Sequence, residues 1–297
     1  MQQLLIDELT GDRVILAPAR SLRPDTFRVD AAPKPSAVTS CPFCEGNESQ
    51  TPPEVARVGG GQPDTPGWKV RVVPNLYPIV GDGVDGAHEV IVLSPHHDHD
   101  FGALSADAAI AVFAMLRDRS RFHLERGSAY AQPFVNHGKT AGASIEHPHA
   151  QLVTLPIVPP RVEFRLKHFS DAALERDQIY TVSSDGAVVW CPPASPSPFF
   201  MRVITPEAGA RFDCADDDAI HRITSALQDA IGRLQRVMGD PAYNLVVQTA
   251  PRDSTERFAW WVDIVPRVGV PAGFELGTGI GVNGVAPEAA AAMLRDA

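Results

Sequence analysis

Two stretches of the chain carry the same succession of hydrophobic and polar positions. In the first, Val70-Arg71-Val72-Val73-Pro74 and residues 89–93 read as strands. A helix is predicted from about Ser105 to Arg126, with Ile110, Phe113 and Leu116 on one face, and strands over 131–136 and 149–155 follow. In the second, Arg202-Val203-Ile204-Thr205-Pro206 leads to a helix from Asp216. That helix has Ile220, Ile223, Leu227, Ile231, Leu234 and Val237 at helical spacing and acidic residues in its first turn. Strands over 243–248 and 258–265 close it. The order strand, helix, strand, strand recurs, which predicts two copies of one α+β unit, divided here as residues 1–165 and 166–297. Ahead of the first copy lie a strand signal over 13–17 and the basic turn Arg20-Ser21-Leu22-Arg23-Pro24. Residues 31–67, rich in Pro, Gly and Ser, read mostly as loop. So long a loop needs an anchor, and Cys41-Pro42-Phe43-Cys44 in its middle is the natural one.

Composition narrows the partners. A formal net charge of -10 over 297 residues argues against nucleic acid or an anionic membrane as the main partner, while local arginines still suffice for a phosphorylated small ligand. No segment is long and apolar enough to span a bilayer, and the start of the chain lacks a basic, then apolar, leader, so a cytoplasmic protein is expected. Four cysteines in a chain this long do not make a disulfide framework.

The candidate chemistry centres on His147-Pro148-His149-Ala150-Gln151, followed by Leu152-Val153-Thr154-Leu155. If this is a strand, its period of two puts both imidazoles and the amide on one face. A neutral imidazole is a nucleophile at neutral pH without a second base, which suggests attack on phosphorus and a nucleotidylated or phosphorylated histidine. A metal pair or two solvated histidines fit the spacing as well. Cys41 and Cys44 have zinc-knuckle spacing, and the remaining ligands are sought among Ser94-Pro95-His96-His97-Asp98-His99 and at His147. The surrounding loop lacks the strand-to-helix setting of a redox Cys-x-x-Cys. Asp216-Asp217-Asp218 reads as helix capping, Cys191 and Cys214 as packing residues, and Gly138-Lys139-Thr140 lacks the upstream glycines of a phosphate loop.

Taken together, Cys41-Pro42-Phe43-Cys44-Glu45-Gly46-Asn47, Ser94-Pro95-x-His97, Asn136-x-Gly138-x-x-Ala141-Gly142-Ala143-Ser144 and His147-Pro148-His149-Ala150-Gln151 resemble the galactose-1-phosphate uridylyltransferase family, the transferase branch of the histidine-triad superfamily. Arg20-x-x-Arg23-Pro24 and the tail Gly273-Phe274-Glu275-x-Gly277-Thr278-Gly279 extend the resemblance over nearly the whole chain. It implies an α+β fold of two tandem histidine-triad-like domains, each an antiparallel sheet with packed helices. The N-terminal domain would be catalytic, the C-terminal one would support the acceptor side, and the chain would form a homodimer. It implies one structural zinc on Cys41, Cys44, His97 and His147, His149 as nucleophile, and Gln151 as its phosphate-binding partner. Asn136 and Ser144 would contact phosphates, Arg20 and Arg23 the diphosphate or base, and Glu275 the hexose.

The implied reaction is double displacement. His149 attacks the α-phosphorus of a nucleotide sugar, sugar 1-phosphate leaves, and a sugar 1-phosphate or phosphate collects the nucleotidyl group. Because the leaving phosphate departs as an anion, Gln151 need not shuttle a proton, which favours transfer over hydrolysis. The sequence also departs from the family pattern. Trp261-Val262-Asp263 stands where many members carry His-x-His, so no second metal is expected. The basic residue before the Gly-x-Glu segment and a hexose-side glutamine are absent. The Gly277-Thr278-Gly279 segment is either a phosphate-binding turn or a plain tight one. UDP-glucose/hexose-1-phosphate uridylyl transfer is the first expectation, ADP-sugar phosphorolysis or adenylyl transfer the alternative. A non-catalytic nucleotide-binding protein of the same fold is the reading from another class.

Overall fold

The computed structural model describes residues 3–8, 10–16, 41–81, 83–97, 100–170 and 178–297. Its elements, in chain order, are β1 (Gln3–Ile6), β2 (Arg13–Leu16), β3 (Ala56–Gly59), β4 (Trp68–Pro74), β5 (His88–Val92), α1 (Ala106–Leu124), β6 (Tyr130–His137), β7 (His149–Leu155), α2 (Pro160–His168), β8 (Thr181–Ser183), β9 (Val188–Trp190), β10 (Met201–Ile204), α3 (Asp217–Met238), β11 (Tyr243–Gln248), β12 (Trp261–Pro266), α4 (Gly273–Thr278), β13 (Gly281–Asn283) and α5 (Pro287–Arg295).

Helix α3 shows how local sequence sets an element. The Asp216 carboxylate accepts the Ala219 N–H at 2.7 Å, so the acidic run is a cap, as its sequence reads. Ile220, Ile223, Leu227, Ile231 and Leu234 then repeat at helical spacing and are completely buried. Gly239, at φ 87°, ends the helix with a backbone few other residues adopt. Helix α1 starts in the same way, on Ser105.

Ten strands form one antiparallel sheet in the order β3-β4-β5-β7-β6-β11-β12-β10-β9-β8. Read from either end, the order of the two halves matches: β3-β4-β5-β7-β6 and β8-β9-β10-β12-β11. The expected α+β fold of two tandem histidine-triad-like units is what the chain adopts. The halves meet at β6 and β11, where Asn136 stands opposite Asn244. The boundary drawn between 165 and 166 falls inside α2. One detail of the sequence alignment changes: β10 is the topological counterpart of β5, so the 202–206 run matches 89–93 and not 70–74. The short strands β8, β9 and β3 lacked enough residues for a period to show.

Helices α1 and α3 cover one face of the sheet and share one apolar core with it, including Ile91, Leu93, Ala150, Leu152, Ile264 and Trp260. The other face carries two smaller clusters. One gathers Cys41, Phe43 and Cys44 with Trp68, Val73, Val90 and Val92, and the other gathers Trp190, Phe258 and Trp261. Because strand side chains alternate, His149 and Gln151 point to this second face while Ala150 and Leu152 enter the helical core. No described helix is long and apolar enough to cross a membrane.

Candidate functional site

Strand β7 pairs with β5 on one side and β6 on the other, with Val90 and Phe134 both opposite Gln151. This central position fixes the direction of its first side chains. His149 is buried, and its Nδ1 lies 2.9 Å from the His147 carbonyl. A carbonyl only accepts, so Nδ1 carries the proton and Nε2 keeps the lone pair. Burial also lowers the His149 pKa, an effect the His147 carbonyl partly opposes. The outcome is a neutral imidazole with one committed donor and one available nucleophilic nitrogen.

His147, fully buried, is arranged the other way round. Its Nε2–H donates to the Ser94 carbonyl at 2.8 Å, which leaves Nδ1 as the lone-pair nitrogen. That Nδ1 is 3.5 Å from Cys44 Sγ, and His97 Nδ1 is 3.4 Å from the same sulfur. One donor atom from each of Cys41, Cys44, His97 and His147 lies within 4.8 Å of every other. A tetrahedral ion with ordinary Zn–S and Zn–N bonds has S···N edges of about 3.6 Å, so the donor set is spaced to hold such an ion. His97 Nε2 is buried without a partner among the described residues, which leaves this ring's orientation to its Nδ1 side. Without a cation, burial and the neighbouring Cys41 push the Cys44 thiol up to about 11. Burial likewise brings His147 down to about 4. Phe43 packs its ring against both His147 and His149, at centroid distances of 6.1 and 5.4 Å, and so joins the Cys-x-x-Cys loop to the candidate nucleophile.

The remaining sequence candidates divide. Asn136 shares the face of His149, and its Oδ1 accepts from Asn244 Nδ2 at 2.8 Å, leaving its own amino group as a donor. Asn244 also holds the Ala141 carbonyl at 2.8 Å and so secures the loop that leads to Ser144. Gly138, at φ 81°, opens that loop, and a Cβ there would stand 2.7 Å from Ala242. Ser144 is exposed in the bend before His147. Gln151 Oε1 meets His88 Nε2 at 2.8 Å, a partner the sequence reading missed. The available signal was His88, Val90 and Val92 on alternate positions of one strand.

Glu275 is not brought to this cluster by any bond within the described chain. Its carboxylate receives the Ala272 N–H and caps its own helix, α4. The Gly277-Thr278-Gly279 segment is the end of α4. The Gly279 amide bonds the Glu275 carbonyl and the Ile280 amide bonds Thr278 Oγ1. Arg20 and Arg23 lie outside the described residues.

In the second half, Trp261 and Asp263 occupy the positions of His149 and Gln151 on the equivalent strand, β12. Asp263 is bound by Trp261 Nε1 at 2.8 Å, Gln248 Nε2 at 2.9 Å and Arg202 Nε at 3.1 Å. Arg202 also grips both oxygens of Asp7, at 2.9 and 2.7 Å.

Comparison with known proteins agrees with this arrangement. Residues 79–159 match the family model for galactose-1-phosphate uridyl transferase, N-terminal domain. An ADP-glucose phosphorylase of Arabidopsis thaliana is 30% identical, with 99% of this chain and 92% of that protein aligned. The chain belongs to the galactose-1-phosphate uridylyltransferase family. A galactose-1-phosphate uridylyltransferase of Thermotoga maritima is 28% identical over 56% of this chain and 50% of its own length. The crystal structure of an Arabidopsis thaliana ADP-glucose phosphorylase with bound ADP-glucose superposes with a TM-score of 0.88 and 29% identity, covering 100% of this chain and 99% of the other. The matched stretch of the family model contains β5, β6 and β7, the three strands that carry His88, Asn136, His149 and Gln151.

Proposed function

We propose that this protein is a nucleotidylyltransferase in which His149 Nε2 attacks the α-phosphorus of a nucleotide sugar. The P–O bond to the sugar 1-phosphate breaks, that phosphate leaves as an anion, and a nucleotidyl-His149 remains. An acceptor phosphate oxygen then attacks the same phosphorus and regenerates the neutral imidazole. The observation that carries the reading is the proton placement. The His147 carbonyl holds the His149 proton on Nδ1, so the nitrogen that attacks needs no base. The amino groups of Gln151 and Asn136 are donors for the phosphoryl oxygens as charge moves onto them. Ser144 is suited to a phosphate contact from the exposed loop, and Arg20 and Arg23 supply positive charge to the diphosphate or base. In this reading Glu275 belongs to the sugar side.

The donor we favour is an ADP-sugar with inorganic phosphate as acceptor, which gives ADP and sugar 1-phosphate. Support comes from the relative matched along almost all of both chains, an ADP-glucose phosphorylase. Uridylyl transfer to a hexose 1-phosphate is the second reading, supported by the family model and the Thermotoga relative. The metal we assign is zinc: two thiolates and two imidazoles suit it, and four protein ligands close the site, so its role is structural. It would fix His147, whose carbonyl in turn orients His149. A cytoplasmic homodimer belongs to the same proposal. The exposed apolar side chains of Leu76, Tyr77 and Ile79, and of Val270, Phe274 and Leu276, support a covered surface in the assembled protein.

One activity screen separates the readings: ADP- and UDP-sugars crossed with phosphate, glucose 1-phosphate and galactose 1-phosphate. Turnover of ADP-glucose with phosphate is expected, and faster UDP-sugar exchange reverses the preference. Ligand-induced thermal stabilisation with no turnover of any pair makes the protein a nucleotide binder.

A further inference from the structure

His88 opens β5 on the same face as Val90, which pairs with Gln151, so His88 lies diagonally across the ladder from Gln151. Its buried ring is held from three sides. The Ile79 backbone N–H points at Nδ1 from 3.2 Å, Gln151 Oε1 lies 2.8 Å from Nε2, and Asn75 Nδ2 approaches Nε2 at 3.1 Å. A backbone N–H can only donate, so Nδ1 must hold the lone pair and the proton of the neutral ring sits on Nε2. Nε2–H then donates to Gln151 Oε1. Asn75 Oδ1 is already held by the Tyr77 N–H at 2.9 Å, so its amino group faces the Nε2–H donor to donor and forms no hydrogen bond with it. It would hydrogen-bond the ring only in the opposite tautomer, the one that strands the Ile79 donor.

We propose that His88 is a positioning residue for Gln151: its Nε2–H holds the amide oxygen and so turns the amide's amino group toward the transferred phosphoryl group. This rests on the nucleotidyl-transfer reading above. An unrestrained glutamine could present either end of its amide, and the oxygen end repels a phosphoryl group. With Oε1 engaged, the amino group is the free end, and it has no hydrogen-bond partner among the described residues. The same ring ties the loop of Leu76, Tyr77 and Ile79, whose side chains are exposed, to Gln151.

Two substitutions dissect the ring. In His88→Asn the side-chain oxygen reaches roughly the place of Nδ1, keeping the Ile79 bond and losing the donor to Gln151. In His88→Gln the amide nitrogen reaches roughly the place of Nε2 and restores that donor. Single-turnover formation of nucleotidyl-enzyme should fall on the order of 10- to 100-fold in His88→Asn, the usual effect of removing an orienting partner, with donor affinity little changed. His88→Gln should recover most of it. In a Gln151→Ala background, His88→Asn should cost no more than about twofold, because its route of action is gone. An undiminished penalty there, or no recovery by His88→Gln, overturns the proposal. The 15N shifts of the His88 ring in the free wild-type protein should show the proton on Nε2, and a proton on Nδ1 overturns it whatever the variants do. If wild-type protein forms no nucleotidyl-enzyme with any donor, the functional reading has failed, and the ring tautomer still decides whether His88 holds Gln151.

Discussion

His147 and His149 stand two residues apart on one strand, yet each engages a different ring nitrogen. The Ser94 carbonyl takes the Nε2 proton of His147 and frees Nδ1 toward the thiols, while the His147 carbonyl takes the Nδ1 proton of His149 and frees Nε2. The candidate metal cluster and the proposed nucleophile are therefore mechanically linked through one peptide unit. Purified protein should contain close to one equivalent of zinc. Cys44→Ala should lose it, lower the melting temperature, and reduce transfer by roughly 10- to 100-fold although Cys44 touches no substrate. Metal analysis and a melting curve on the same sample check this, and full activity in a metal-free, folded Cys44→Ala excludes the link. At this scale the sequence was legible where chemistry repeats at short spacing. The H-P-H-A-Q run and the Cys-x-x-Cys show their faces and ligand types without a structure. His88 did not show, because a lone histidine acquires meaning only from Gln151, which lies in a different strand and is brought beside it by sheet register.

Among the elements, β12 shows what stands in place of the candidate catalytic strand. Where β7 has His149 and Gln151, β12 has Trp261 and Asp263, and the polar demand is met by Arg202 between Asp263 and Asp7, all three buried. Removing one member leaves buried charge without its partner. Arg202→Ala should cost about 3–5 kcal/mol in a urea titration, and a loss under about 1 kcal/mol means the cluster is relaxed or hydrated. A second charged cluster ties β5 to α1: Glu89 is bonded by Arg119 and by His123 at 2.8 Å. Burial alone would raise the Glu89 pKa, but these bonds outweigh it and hold it below the ordinary 4.5. Its contribution is present above the unfolded value and is lost as pH falls through the lower folded one. Melting temperatures of wild type and Glu89→Gln should differ most near neutrality and converge as pH falls from the unfolded value through the lower folded one; a constant gap contradicts this. Element types in the long periodic segments were readable. The pairing of 202–206 with 70–74 was not, since two short Arg-Val strands look alike until the sheet order separates β4 from β5.

At the scale of the whole molecule, a ten-stranded sheet of repeated topology carries α1 and α3 on one face and the candidate chemistry on the other, beside a three-stranded sheet of β1, β2 and β13. The repeat was visible as a recurring pattern, but its meeting point at β6 and β11 depends on edge pairing, which leaves no local signature. Glu275 marks a similar limit. Its tail segment matches a family motif, yet within the described chain its carboxylate caps α4, so a role toward a sugar has to be met in the assembled, liganded protein. The proposed mechanism requires a covalent nucleotidyl group on His149. It is tested by mixing the protein with ADP-glucose without phosphate, denaturing it in base to preserve a phosphorus–nitrogen bond, and mapping modified peptides by mass spectrometry. Double displacement predicts an adenylyl adduct on His149 that disappears when phosphate is added before denaturation. It also predicts no adduct in His149→Asn, which keeps a donor for the His147 carbonyl but has no nucleophile. Turnover of ADP-glucose with no adduct on His149, or with the same adduct in His149→Asn, would contradict it.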